Sequence, residues 1–262
     1  MTKKKTKARA DIYLYDNFNL GTLEDIQRLI MAGKVLNNNN LVYKSSDIII
    51  EETANIRFKN VKEFVSRGGL KLREAIKVFN LSLEEKIVVD IGSSTGGFTD
   101  CALRNGAHHV YAVDVGTNQL DYRLRIDKRV TVLEQTNFKS ITDEIDVLPN
   151  IITIDVSFTS IVPILRHIKF LWNHHYEIVA LIKPQFESYL EEREEDGIIR
   201  SKTTQMNTII RVVDECRDMD FSTVDIVSSP ITGTKGNKEF LLHVKNDNKN
   251  THLSYEKIAS MF

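Results

Sequence analysis

Four charged residues stand where short apolar runs begin or end, or in the helical stretch before them, and their types suit one kind of chemistry. Asp155 closes the run IITID, Lys183 closes EIVALIK, Glu239 opens EFLLHV, and Lys71 lies ahead of the first such run. Taken singly, each is an ordinary strand-end charge. Two ammonium groups and two carboxylates converging on one crevice would instead orient a hydroxyl nucleophile and take its proton as an electrophilic methyl is attacked. Lys183 is the candidate base. A free lysine titrates at about pH 10.4, and neighbouring carboxylates push it upward. Lys183 therefore serves as base only if desolvation and repulsion from Lys71 outweigh Asp155 and Glu239. Otherwise it stabilises the developing alkoxide while positioning does the rest.

A second constellation is the glycine turn DIGSSTGGF at 90–98. Gly92 allows the tight turn, and Gly96 and Gly97 let a ligand approach the backbone at a positive helix end. The spacing is not G-x-G-x-x-G, and no G-K-[ST] follows, so dinucleotide and P-loop readings are weak. Asp114 ends the next strand roughly 20 residues on, where a carboxylate accepts hydrogen bonds from ribose hydroxyls. With Asp90 on the first strand, the set fits S-adenosylmethionine better than NAD.

These residues need elements to hold them. The pattern predicts a helix over 69–79 and strands over 86–92, 109–115, 130–134, 151–156, 178–182, 223–227 and 239–244. Helices follow the glycine turn as far as Arg104 and cover 160–171 and 203–219. Short apolar strands alternating with helices give an α/β, Rossmann-like domain: a doubly wound, mostly parallel seven-stranded sheet covered on both faces. Ligands bind beyond the carboxyl ends of such strands. Ahead of it, the chain divides near 60–66 from a small α+β unit. Leu23, Ile26, Leu29 and Ile30 follow helical spacing and Gly33 suits the helix C-terminus. The asparagines at 37–40 suit a hairpin turn, and 48–50 is a strand. The expected divisions are a basic arm (1–9), the small unit (10–60), a linker (61–67), the catalytic domain (68–246) and a tail (247–262).

The chain has 262 residues, 42% hydrophobic and 27% charged, the profile of an ordinary globular protein with a sizeable core. Its 35 Lys+Arg against 36 Asp+Glu exclude a generally basic nucleic-acid coat, so RNA binding must use a local patch. Two cysteines are too few for a disulfide framework or structural zinc site, and the default compartment is a reducing cytoplasm. The charged start lacks an apolar signal core, and no run of about 18 apolar residues spans a bilayer. His108, His109, His174 and His175 lack metal-ligand spacing, so no metal is expected.

Several blocks together resemble the TlyA family, ribosomal RNA 2′-O-methyltransferases also labelled hemolysin A. They are VSRGGLKL at 65–72, DIGSSTGGFTD at 90–100, VDVG at 113–116, DVSF at 155–158, IKPQFE at 182–187, SPITG at 229–233 and GNKEF at 236–240. The resemblance runs in order over about residues 8–246. It implies an FtsJ-like methyltransferase domain whose Lys-Asp-Lys-Glu catalytic set falls on Lys71, Asp155, Lys183 and Glu239. It also implies an S-adenosylmethionine site on Asp90, Gly92, Ser94, Gly96, Gly97, Asp114, Asn137 and Asp155. The implied substrate is a cytidine 2′-hydroxyl in ribosomal subunit RNA.

Residues about 9–60 resemble an S4-type RNA-binding domain through Arg9-Ala10-Asp11, LIMAGKV at 29–35 and Asn37. The expected RNA contacts are Arg28, Lys34 and Arg67, with flexible charge for phosphates added by the lysine-rich start at Lys3, Lys4, Lys5, Lys7 and Arg9. The acidic run EEREED at 191–196 reads as a solvated loop that would repel phosphates. Two rival functions are a membrane-active haemolysin, which would need an insertion segment, and a non-catalytic RNA-binding assembly factor.

Overall fold

The computed structural model describes residues 6–18, 20–59, 63–247 and 249–262. Lys3, Lys4, Lys5 and Lys62 lie outside them. The chain forms two compact units, Met1–Glu63 and Phe64–Phe262.

The first unit opens with β1 (Lys7–Arg9), α1 (Ala10–Asn17) and α2 (Leu23–Met31). Thr22 accepts the Asp25 N–H and Asp25 accepts the Thr22 N–H in return, a reciprocal cap that fixes the start of α2. Then come β2 (Val35–Asn37), β3 (Asn40–Leu41), β4 (Ile48–Ile50) and β5 (Ile56–Phe58). Asn38 and Asn39 both take positive φ, 50° and 65°, which makes the two-residue hairpin between β2 and β3. Leu14, Ile26, Ile30, Val35 and Ile49 close a small core. Lys7 and Arg9, expected on a free arm, instead stand on β1, paired antiparallel with β4.

In the second unit, α3 (Gly68–Val78) leads to β6 (Ile87–Ile91), α4 (Gly97–Arg104), β7 (His109–Val113), the short α5 (Tyr122–Arg125) and β8 (Val130–Leu133). There follow β9 (Ile151–Ile154), α6 (Val162–Leu171), β10 (Tyr176–Ile182), α7 (Pro184–Glu187), α8 (Lys202–Asp218), β11 (Ser222–Ser228), β12 (Phe240–Asn246) and α9 (Tyr255–Ala259). The seven strands order as β11-β12-β10-β9-β6-β7-β8, with β12 running against its two neighbours and the others parallel.

Strand β6 pairs with β7 on one side and β9 on the other, so the order reverses between β6 and β9 and a crevice opens beyond their carboxyl ends. The strands are apolar along their length because both faces are covered: Val89, Ile152 and Ile178 pack into one core, Val88, Val110 and Val179 into the other. The strand expected over 151–156 stops at Ile154, since the Asp155 N–H still reaches Ile91 O while the chain then turns away. Of the expected tail, residues 249–262 fold back rather than trail: Leu253 and Ile258 are buried in the main core, and the Phe262 ring lies 5.5 Å from that of Phe240.

Candidate active site

Gly92 and Asp155 sit side by side across the reversal point. Gly92 holds φ +83°, and a Cβ there would lie 2.6 Å from the Asp155 carbonyl oxygen, so only glycine lets the two strand ends approach. Asp155 then lies between two lysines. Its Oδ1 is 2.6 Å from Lys183 Nζ and its Oδ2 is 3.4 Å from Lys71 Nζ, while Lys71 Nζ is 2.7 Å from Glu239 Oε2. Glu239, Lys71, Asp155 and Lys183 thus form one chain of alternating charge. They come from the end of β9, the end of β10, α3 and the turn into β12, four segments far apart in sequence. All but Asp155 are less than a tenth exposed. Burial of isolated charges is expensive, and the alternation of two cations with two anions makes it tolerable. Lys183 Nζ also donates to Ser157 Oγ at 3.1 Å.

This chain lines a polar cavity of about 300 Å³, together with Arg67, Gly92, Ser94, Gly97 and Ser157. A second, more apolar cavity of about 440 Å³ shares Gly92, Ser94, Asp155 and Ser157 with the first. Its walls include Val113, Asp114, Asn137, Phe138 and Ile164. Asp114 accepts the Ser94 N–H at 2.8 Å and the Gly116 N–H at 2.7 Å, which fixes its carboxylate at the rim.

Two residues expected to touch a cofactor do not reach either cavity. Asp90 is 1% exposed, and its carboxylate accepts from Thr99 Oγ1 at 2.7 Å and Thr153 Oγ1 at 2.8 Å. It joins the first turn of α4 to β9 from behind the crevice. Burial pushes its carboxyl up to about 6, against the two hydroxyls that lower it, with the nearby charge of Asp155 adding to the rise. At Gly96 the missing side chain makes room for packing: a Cβ there would lie 2.2 Å from Leu124 Cδ1.

The residues named for RNA divide as well. Arg67 is exposed and lines the polar cavity. In the other unit, Lys7 is exposed and Lys34 half-buried. Arg9 is tied to Asp11 at 2.8 Å and Arg28 to Asp25 at 3.3 Å. The acidic run is partly neutralised by its own surroundings: Glu192 pairs with Arg211 at 2.8 Å, and Glu194 and Asp196 both pair with Arg200.

Several contributors escaped the sequence. Phe158 is 91% exposed at φ 63° on the wall of the apolar cavity, its ring 5.2 Å from that of Phe186. Glu187 accepts from Ser160 Oγ at 2.6 Å and the Ile161 N–H at 2.8 Å, pinning the turn that carries Phe158. Glu134 collects the N–H groups of Asn118, Gln119 and Leu120 and a 2.6 Å bond from Arg125. Against the cost of burial, those donors hold its carboxyl below the usual range. Ser157, Phe158 and Glu187 lie within the quoted blocks, whereas Glu134 carries no local signal.

A doubly wound sheet with two adjoining cavities beyond its strand ends, Asp114 on the wall of one and a buried Lys-Asp-Lys-Glu chain in the other, belongs to an S-adenosylmethionine-dependent methyltransferase. Residues 64–246 match the FtsJ-like methyltransferase family, and the chain belongs to it, on the branch of its TlyA relatives. A protein of Bacillus subtilis (strain 168) provisionally named rRNA methyltransferase YqxC is 44% identical over 93% of this chain and 87% of that one. The 16S/23S rRNA (cytidine-2′-O)-methyltransferase TlyA of Mycobacterium tuberculosis is 32% identical over 91% of this chain and 90% of that one. A solved structure from Streptococcus thermophilus, provisionally called a hemolysin, superposes with a TM-score of 0.73 at 40% identity, covering 98% of this chain and 96% of that one. Among the described residues, no helix is long and apolar enough to cross a membrane.

The cofactor of this class is S-adenosylmethionine, and the two cavities fit its two ends. Apolar walls with Asp114 and Asn137 at the edge suit an adenine nucleoside, and the polar cavity over Gly92, Ser93 and Gly97 suits a charged amino-acid end.

Proposed function

We propose that this protein methylates the ribose 2′-hydroxyl of a cytidine in ribosomal subunit RNA and acts in the cytoplasm. The observation that carries the reading is the alternating chain of Lys71, Asp155, Lys183 and Glu239 on the wall of the polar cavity, with Asp155 shared by the apolar one. Bound S-adenosylmethionine supplies an electrophilic methyl on a sulfonium. Asp114, Asn137 and the turn at Gly92–Ser94 hold that cofactor, and Asp155 stands at the boundary between it and the nucleotide. Lys183 receives the proton of the 2′-hydroxyl. Asp155 orients Lys183, and Lys71 with Glu239 keeps Asp155 from swinging away. Most of the acceleration comes from alignment, with proton removal adding about 10²–10⁴-fold. The paired rings of Phe158 and Phe186 offer an aromatic face for the target base at the mouth. The first unit, with its S4-like resemblance, supplies RNA affinity together with the lysines ahead of it.

The test incubates the protein with ribosomal subunits from cells lacking it and with labelled S-adenosylmethionine, then maps 2′-O-methyl marks. A mark on a cytidine is expected. Lys183→Ala is expected to abolish transfer while calorimetry shows cofactor affinity within a few-fold of wild type. Near-wild-type turnover by that variant would remove Lys183 from the chemistry. Absence of label on either subunit, for the wild type, would leave an assembly factor as the better reading, and lysis of red cells a cytolysin.

A further inference from the structure

We infer that Ser157 is a positioning residue for the proton transfer: its hydroxyl fixes the rotation of the Lys183 amine so that the amine lone pair is aimed at the polar cavity. The inference rests on the 2′-O-methyl transfer proposed above. Among the described residues, Lys183 Nζ has two acceptors, Asp155 Oδ1 at 2.6 Å and Ser157 Oγ at 3.1 Å. A neutral primary amine carries two N–H bonds and one lone pair. Both N–H bonds are thereby accounted for, and the lone pair is what remains for the cavity that Lys183 lines. Asp155 alone would not achieve this. With a single acceptor the amine rotates about its Cε–Nζ bond and presents an N–H and the lone pair by turns.

The hydroxyl is itself well placed. Ser157 lies between Asp155 and the left-handed Phe158, in a turn whose far end is tied by Glu187 to Ser160 and Ile161. It lines both cavities, so its hydroxyl stands at the boundary between them. The charged groups around the amine are Asp155 from the end of β9 and, beyond it, Lys71 of α3 and Glu239 at the entry to β12. The Phe186 ring lies 6.0 Å away on the Lys183 segment itself. In the step so assisted, the 2′-O–H bond breaks, its proton forms a third N–H bond on the Lys183 lone pair, and the oxygen keeps the electron pair with which it attacks. Orientation of this kind acts on the rate of the bound complex rather than on binding.

The experiment compares wild type, Ser157→Ala and Ser157→Thr in single-turnover methylation of ribosomal subunits from cells lacking the enzyme, over a range of pH. Cofactor affinity and melting temperature are measured alongside. Ser157→Ala is expected to lower the rate at saturating subunit and cofactor about tenfold, with cofactor affinity and subunit half-saturation within twofold of wild type. Ser157→Thr, which keeps the hydroxyl, is expected to recover the rate to within about twofold. The fold-loss in Ser157→Ala should stay constant across the pH range, because orientation of the amine multiplies the rate of every competent complex equally. A Ser157→Ala rate equal to wild type overturns the inference, as does a loss that threonine does not restore or one explained by weaker cofactor binding. Wild type that labels neither subunit overturns the underlying reading as well, and so is distinguished from a failure of Ser157 alone.

Discussion

Asp90 shows how a strand-end position suited to a ligand can hold a carboxylate that is bonded within the fold. Its position at the end of β6 suits a cofactor contact, yet its carboxylate is enclosed by Thr99 and Thr153 and reaches no cavity. Its role is to brace the start of α4 against β9. Because its folded pKa lies at about 6 and an unfolded aspartate titrates at roughly 3.9, the native state holds a proton between these values that the unfolded chain releases. Its contribution to stability is therefore present below about pH 4 and is lost as pH rises through 6, by at most about 3 kcal/mol. Asp90→Asn should remove this slope. Denaturant unfolding at about pH 4.5 and about pH 7 should show the wild type losing stability relative to the variant as pH rises. Parallel behaviour of the two proteins would show that Asp90 titrates normally.

At the scale of elements, the site depends on the loops after β9 and β10 being tied to one another. Glu187 of α7 makes that tie, since it accepts from Ser160 and from the Ile161 N–H at the start of α6. Burial raises its carboxyl above the usual range, against the pull of Ser160 and Ile161. Glu187→Ala would leave the buried Ile161 N–H without its acceptor, at a cost of about 1–3 kcal/mol. It would also free the turn bearing Ser157 and Phe158. The expected outcome is a melting temperature lowered by several degrees, together with a larger loss in methyl transfer than in cofactor binding. Calorimetry and single-turnover assays on the same preparation check it. Equal losses in the two would mean that Glu187 supports the fold as a whole and not the turn.

For the whole molecule, the division at 63/64 separates two cores of different kind. The first unit closes on a handful of residues around Leu14, Ile26 and Ile49, while the second is built on both faces of a seven-stranded sheet. Each has its own apolar interior, so residues 64–262 alone are expected to unfold cooperatively and to bind S-adenosylmethionine, but to methylate ribosomal subunits much more slowly at limiting RNA. Alanine at Lys3, Lys4 and Lys5 should weaken RNA binding and flatten its dependence on salt, by roughly one unit of log–log slope for each phosphate no longer neutralised. Filter binding across a salt series measures this, and an unchanged slope would take those lysines out of RNA recognition. The near-neutral total charge leaves no generally basic surface, so the proposed RNA affinity must come from a local patch.

Most of the architecture was legible in the chain itself. Apolar runs alternating with helical stretches specify a doubly wound sheet because strands buried on both faces carry no polar alternation. The asparagines at 37–40 announce their hairpin because Asn tolerates positive φ. Lys71, Asp155, Lys183 and Glu239 were recognisable as candidates from residue type and strand-end position. Their bonding was not legible, since it depends on segments brought together only when β9, β10 and β12 align beside α3. Tertiary structure alone decided that Asp90 faces Thr99 and Thr153, that Gly96 serves Leu124, and that Arg9 belongs to a strand and to Asp11. The physical reason is the same in each case. Local sequence sets backbone preference and the burial pattern, whereas the partner of a charge or the neighbour of a glycine is set by residues distant in the chain.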